Sequence, residues 1–223
     1  MRKTFWSVVC IAASTMPLAA QEWQVLGGIE AVSNYVSNGV TQSNGNPAIQ
    51  PWVEINNAHF YAGLWASNVD FGNSDDYELD IYLGYRRSFA NDLFIDLGYA
   101  RYLYDGTGDC CGELKVTAAY PIHDRVGLLG YVAYNPESDE WNRRATLAYK
   151  VNDKISLSGT YGYSDFNQHD YWDVGASFPL TDTVAMDVRY QGSEAGDEGV
   201  VVGVSWSASQ VSMAQLFLAP FRR

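Results

Sequence analysis

The chain has 223 residues, 26 acidic against 14 basic, for a formal charge of −12. That balance argues against a nucleic-acid partner, whose phosphates need Lys and Arg. Past the N-terminus no stretch approaches the eighteen apolar residues of a membrane helix, and the mean hydropathy of −0.18 suits a soluble protein or a β-barrel, in which only alternate residues face lipid.

Residues 1–20 read as a secretory signal peptide. Arg2 and Lys3 give a basic start, Thr4 to Leu18 is mostly apolar, and Ala19-Ala20 offers a small-residue cleavage site before Gln21. Cys10, behind Val9, sits too early for a lipoprotein site. Without the leader twelve basic residues face 26 acidic ones, and 12 minus 26 is −14. Such an exported surface suits water or a cation-attracting vestibule.

Residues 21–207 predict one all-β domain, a closed transmembrane up-and-down antiparallel β-barrel of twelve strands. The strands fall at roughly 22–34, 46–56, 59–67, 76–88, 92–103, 112–121, 124–135, 141–151, 154–163, 170–178, 182–191 and 198–207. Five short polar turns recur at nearly even spacing, near 56–59, 90–92, 121–124, 151–154 and 179–182, and longer acidic loops lie between them. Short turns at one rim and long loops at the other are how a membrane barrel is written. Pro51 lacks a donor and marks a bulge or strand-end position in the second strand.

In lipid every backbone polar group must be paired, so the sheet must close, and each strand then shows two faces at period two. Tyr77, Leu79, Ile81, Leu83 and Tyr85 make one apolar face, while Glu78, Asp80, Tyr82 and Gly84 make the other, followed by Arg86. The other strands repeat the pattern. Aromatics on the apolar parity gather at both ends: Phe60, Tyr85, Tyr120, Tyr149, Phe178 and Trp206 near the short turns, and Tyr77, Tyr99, Tyr134, Tyr161, Trp172 and Tyr190 near the loops. Two such girdles about 25 Å apart flank the apolar band of an outer-membrane barrel. A soluble barrel would instead point its apolar face inward.

The opposite parity carries Glu30, Glu54, Glu78, Asp80, Arg86, Asp96, Lys115, Arg144, Lys150, Asp173, Asp187 and Arg189. These are candidates to line a water-filled lumen and set its charge preference. The alternative is an interior salt-bridge network that plugs the barrel, since twelve strands fall between the eight that side chains fill and the sixteen of open porins. Loop acids such as Asp70, Asp75, Asp105 and Glu137 are a solvated rim or a cation trap among lipopolysaccharide phosphates, without EF-hand spacing. Arg101 and Arg143, on the outward parity, are placed to snorkel to lipid phosphates.

Cys110-Cys111 falls between strands. It is either a pair of loop thiols, a strained vicinal disulfide or a redox switch, and without a nearby His it is a poor zinc site. No metal or cofactor site is expected. His59 and His123 fall in turns. His169, near Ser164, Asp165 and Asp170, allows a Ser-His-acid hydrolase on paper, but it reads as an ordinary solvated loop histidine, and no enzyme is expected. Residues 208–223 form a tail, either a further strand segment or a periplasmic extension.

Three blocks carry a family resemblance. They are Tyr35, Val36, Gly39, Val40, Thr41 and Gln42; then Pro47, Ala48 and Gln50; then Phe60, Tyr61, Gly63, Trp65, Ser67, Asn68, Val69 and Asp70. The chain resembles the TorF family of porin-like outer-membrane proteins, also called Gcw_chp. Asn38 stands where that pattern often has Arg, and the chain runs past the usual end. The resemblance implies a Gram-negative outer-membrane location and a channel role, and supplies no catalytic or ligand residues. The expected function is a small passive channel for ions or solutes. Its partners would be outer-membrane lipid, lipopolysaccharide and, during insertion, the barrel-assembly machinery. A sealed structural or adhesion barrel is the alternative, and a rim hydrolase a distant third.

Overall fold

The computed structural model describes residues 23–208, and all of their regular structure is strand. The readings of residues 1–20 as a signal peptide and of 208–223 as a tail, Ala208 excepted, lie outside the described residues. Fourteen strands occur in chain order: β1 (Gln24–Val32), β2 (Val36–Ser37), β3 (Val40–Thr41), β4 (Ala48–Asn57), β5 (Phe60–Asn68), β6 (Tyr77–Ser88), β7 (Phe94–Tyr104), β8 (Gly108–His123), β9 (Val126–Asn135), β10 (Glu140–Asn152), β11 (Ile155–Ser164), β12 (His169–Pro179), β13 (Val184–Ser193) and β14 (Gly199–Ser207). Twelve of them close into one antiparallel barrel in the order β1-β14-β13-β12-β11-β10-β9-β8-β7-β6-β5-β4, while β2 and β3 pair only with each other. Fold class and strand number match the sequence reading.

The barrel inverts the burial of a soluble protein. Leu83, Leu147, Val174 and Val200 are half or more exposed, while Gln50, Glu54, Glu78 and Thr146 are 0–4% exposed. Period-two strands in a closed sheet give that inversion only if the outer face meets hydrocarbon. Tyr side chains fill space inside opposite glycines. A Cβ at Gly63 would sit 2.4 Å from the Tyr82 ring, and one at Gly84 2.4 Å from the Tyr61 hydroxyl. Closure at β1–β14 is a short ladder, Gly28↔Ser207 to Val32↔Gly203, extended by Ser33 N to Val202 O at 2.8 Å and Ala208 N to Gly27 O at 2.8 Å.

Pro51 lies inside β4, paired with Ile29 on the β1 side. The β4–β5 ladder begins one residue later, at Trp52↔Trp65. Beyond it the Asn68 side chain takes over, accepting from Ile49 N at 2.8 Å and donating to Pro47 O at 3.1 Å. The missing donor of proline is therefore absorbed where β5 has left the ladder.

The expected contrast in loop length is mostly absent. At the loop rim the connections at 69–76, 105–107, 136–139, 165–168 and 194–198 are short, and only 33–47 is long. The strands consumed the rest. β8 starts at Gly108, so Cys110 and Cys111 are strand residues, joined as a vicinal disulfide. Tyr102 pairs with Cys111 and Leu103 with Asp109, which leaves Cys110 as the extra residue of a bulge. Likewise Ser164 and His169 face each other across β11 and β12 rather than sitting in a loop.

Candidate functional site

The one long connection does not project away from the barrel. Asn38 (φ 50) and Gly39 (φ 77) both take positive φ, the requirement of a two-residue type I′ turn, and they join β2 to β3 as a small hairpin. Its base closes on itself and is tied to β5 and the residues just after it. Tyr35 meets Trp65 edge-on at 5.5 Å, Tyr35 N donates to Ser43 Oγ at 2.9 Å, and Asp70 N donates to Gln42 O at 2.8 Å. Its tip reaches far strands. Asn142 Nδ2 of β10 donates to Asn38 Oδ1 at 2.6 Å, and His169 Nε2 of β12 lies 3.1 Å from Asn38 O. Gly39 lies flat against Tyr171 and Ser193, where a Cβ would come within 2.5 and 2.8 Å of their Cβ atoms. In strand order β10 is five steps from β1, close to the opposite wall of a twelve-strand barrel. Residues 33–47 are therefore a strap across the mouth.

The blocks that carry the family resemblance meet at the strap base. Besides Tyr35 with Trp65 and Gln42 with Asp70, Gln50 Nε2 approaches Ser67 Oγ at 3.4 Å. Tyr35, Val32, Ala48, Trp65 and Val69 form one buried apolar cluster. Apolar burial at this corner fixes where the strap leaves the wall, and the Asn-Gly turn fixes how far it reaches.

Apart from Glu30 on β1, most of the inward charges sit in three groups. On β4, β6 and β7, Arg86 is paired with Glu54 and lies 4.6 Å over the Tyr61 ring, whose hydroxyl donates to Asp96 Oδ1 at 2.6 Å. Around β6–β10, Tyr104 Oη donates to Glu78 Oε1 at 3.3 Å, Lys115 Nζ lies 3.7 Å from Glu113 Oε2, and Arg144 sits 4.1 Å over the Tyr131 ring. On β12 and β13, Arg189 is paired with Asp173 and places Nε 3.2 Å from Asp187 Oδ1, and Ser177 Oγ donates to Asp187 Oδ2 at 2.6 Å. Lys150 stands apart at the turn end, 2.7 Å from Asp153. Glu113 is an inward residue that the sequence reading passed over, and its parity with Lys115 marks it.

Beneath the strap lies a cavity of about 160 Å³, lined by Asn34, Asn38, Glu30, Arg144, Asp187 and Arg189 among others. At the opposite end a hollow of about 320 Å³ opens, with Ala119, Leu129, Ala148 and Lys150 among its walls.

Several of the girdle candidates stack on one another or on a neighbour: Phe60 with Tyr85 at 5.1 Å, Trp172 with Tyr190 at 5.6 Å, and Tyr134 at 4.5 Å with Trp141, a ring absent from the expected set. The outward arginines are ion-paired at the rim. Arg101 is paired with both Asp109 and Glu137, and Arg143 with Asp165 at 2.7 Å. Among the described residues no group of three or more His, Cys, Asp or Glu is arranged to hold a metal.

Two short loops are tied by carboxylates. Asp75 accepts from Thr107 Oγ1 at 2.6 Å, Thr107 N at 2.6 Å and Gly106 N at 3.0 Å. The Thr107 hydroxyl first, then its amide, the Asn73 side chain and the Gly106 amide hold the Asp75 carboxyl below the usual carboxylate range, and the amides of Tyr77 and Asp76 do the same to Asp105. The folded state thus favours the ionised form. Its stabilisation is complete above the ordinary unfolded value and is lost as pH falls through the lowered folded one. Amide exchange at 69–76 and 105–107, corrected for its intrinsic pH dependence, is expected to stay slow above the ordinary carboxylate value and to quicken as pH falls from there through the lowered folded one. In Asp75→Asn it is expected to be fast already at neutral pH. Slow exchange in that variant would contradict the tie.

A family model described as "Bacterial protein of unknown function (Gcw_chp)" matches residues 18–217. A search of curated sequences found no match. Among solved structures the chain is similar to the KdgM porin, with TM-score 0.63 and 8% identity over 82% of this chain and 98% of that one; the same porin has been solved in complex with disordered oligogalacturonate. It is also similar to the NanC porin, with TM-score 0.54 and 10% identity over 81% and 98%. At such identity the likeness is one of fold.

Proposed function

The chain belongs to the Gcw_chp family, and from its strapped, charged lumen we propose that it is a narrow passive channel of the Gram-negative outer membrane, passing small ions or neutral solutes with a mild preference for cations. In this reading the short turns, with the start of β1 and the end of β14, face the periplasm and the strap faces outward. The TorF label suggested by the sequence belongs to the same reading, as does export by a signal peptide. The porin-like barrel fold supports it. The observation that carries it is the polar cavity left open beneath the strap of a twelve-strand barrel. A barrel built only to be sealed gains nothing from a charge-lined chamber roofed by a dedicated hairpin.

The inward residues supply the selectivity. Glu30, Glu54, Glu78, Asp80, Asp96, Glu113, Asp173 and Asp187 outnumber Arg86, Lys115, Arg144, Lys150 and Arg189, and walls of low dielectric strengthen that excess. The reversal potential across a KCl gradient is expected to lie on the cation side and to move toward zero in an Asp80→Asn, Asp96→Asn variant. Strong anion selectivity would contradict the charge argument.

The sealed barrel remains the second reading, and one observation favours it: the tyrosines and ion pairs of β4–β9 fill their side of the lumen. The hydrolase reading has little to stand on. The His169 ring is engaged with Asn38 O, and Ser164 is 1% exposed. His169 serves as a positioning residue for the strap.

A further inference from the structure

We propose that the chamber beneath the strap binds small zwitterions, molecules carrying an ammonium and a carboxylate a few bonds apart. The proposal deepens the channel reading by naming a solute class, although binding itself does not depend on conduction.

The chamber is polarised from wall to wall. Arg144 stands on β10, its guanidinium braced over Tyr131 at 4.1 Å. Glu30 stands on β1, five strands away around the ring. Between them, on β12 and β13, Arg189 lies between two carboxylates, Asp173 and Asp187. That triad is balanced on one acid and keeps a net negative charge through the other. One side of the chamber therefore offers a guanidinium and the other an excess of carboxylate, with all five groups on its lining.

A lone cation would meet its carboxylates but also face Arg144. A lone anion would meet Arg144 but face Glu30 and Asp187. Only a solute with both charges satisfies both walls, and the site rejects each single-charge analogue through the charge it leaves opposed. The remaining lining suits the middle of such a molecule: the Asn34 and Asn38 amides of the roof, and the Tyr171 and Trp172 rings of the wall. At about 160 Å³ the volume would hold on the order of ten waters, at 10–15 Å³ of such space for each. That leaves room for a solute of about six non-hydrogen atoms.

The probe is β-alanine, with propionate and propylammonium as analogues of matched length bearing one charge each, titrated calorimetrically into the full-length barrel in detergent at constant ionic strength. β-Alanine is expected to bind saturably and at least several-fold tighter than either analogue. Arg144→Gln and Glu30→Gln are each expected to weaken it by roughly tenfold, the loss of about one charge-assisted contact. Absence of β-alanine binding, or equal binding of β-alanine and propylammonium, would overturn the proposal on the wild-type protein alone, whatever the variants do to folding. Swelling of vesicles loaded with the barrel separates this proposal from the channel reading. Glycerol entry with no preferential β-alanine binding sinks the zwitterion site and leaves the channel. β-Alanine binding with no entry of either solute keeps the site and sinks the channel.

Discussion

Replacing Gly39 by valine is expected to raise single-channel conductance several-fold while leaving the barrel folded. Two separate constraints meet at this residue. Its φ of 77° lies in the left-handed region, where a β-branched side chain is strained. A Cβ there would also collide with Tyr171 and Ser193, at 2.5 and 2.8 Å. Neither neighbour yields readily, because both are wall residues of β12 and β13. The tip must therefore lift, and Asn38 gives up its contacts with Asn142 and His169. None of these is a rung of the barrel ladder, so the wall has no reason to open. Gly45, with a similar φ of 76° and nothing within 4 Å of an added Cβ, is the control: strained in backbone, free of the wall, and expected to leave conductance unchanged. Equal conductance in Gly39→Val and wild type would remove the strap from the permeation path.

Arg189→Leu is expected to cost about 3 kcal/mol of barrel stability in equilibrium urea unfolding from lipid vesicles, the scale for stripping one partner from a desolvated ion pair. The guanidinium bonds Asp173 and Asp187, and Nη2 also donates to Ser158 Oγ at 3.2 Å. The Arg189 side chain is 13% exposed and its two partners 20% and 31%, so water softens the loss only in part. Deleting the cation leaves two carboxylates side by side. Combining Arg189→Leu with Asp173→Asn and Asp187→Asn is expected to restore most of the loss, because no net charge then remains uncompensated. A single variant indistinguishable from wild type would mean that the triad is solvated and carries no structural burden.

Much of this molecule is written in its alternation. Tyr77 to Tyr85 states the two faces of β6 outright, and the same period puts Arg86, Asp96 and Arg189 on the face opposite the apolar one. Trp141 and Glu113 obeyed that rule too, and needed only its consistent application. Period two says which wall a side chain leaves from, however, and not which group it meets across the lumen. The pairing of Arg86 with Glu54 spans 32 residues and follows from closure alone.

The strap was the larger omission. Val36 and Val40 flanking Asn38-Gly39 carry the strongest short-range hairpin signal, but nothing local tells a hairpin to fold inward. That choice depends on Asn142, His169 and Tyr171, more than a hundred residues away. The outer loops failed for a different reason. Polar, acidic stretches such as Asp105 to Cys111 look like loop by composition, whereas β7 and β8 pair to within three residues of each other because a ladder at a barrel rim is limited by turn geometry rather than by polarity. His169 and Ser164 were misjudged in the same way.

The most direct test is a planar-bilayer recording of the wild-type barrel, run on preparations whose insertion is established by protease protection. A strapped but open lumen predicts small, discrete current steps with reversal on the cation side of a KCl gradient. Inserted protein that leaves the bilayer silent, in wild type and in Gly39→Val alike, would show that the interior is closed and that the strap guards no passage.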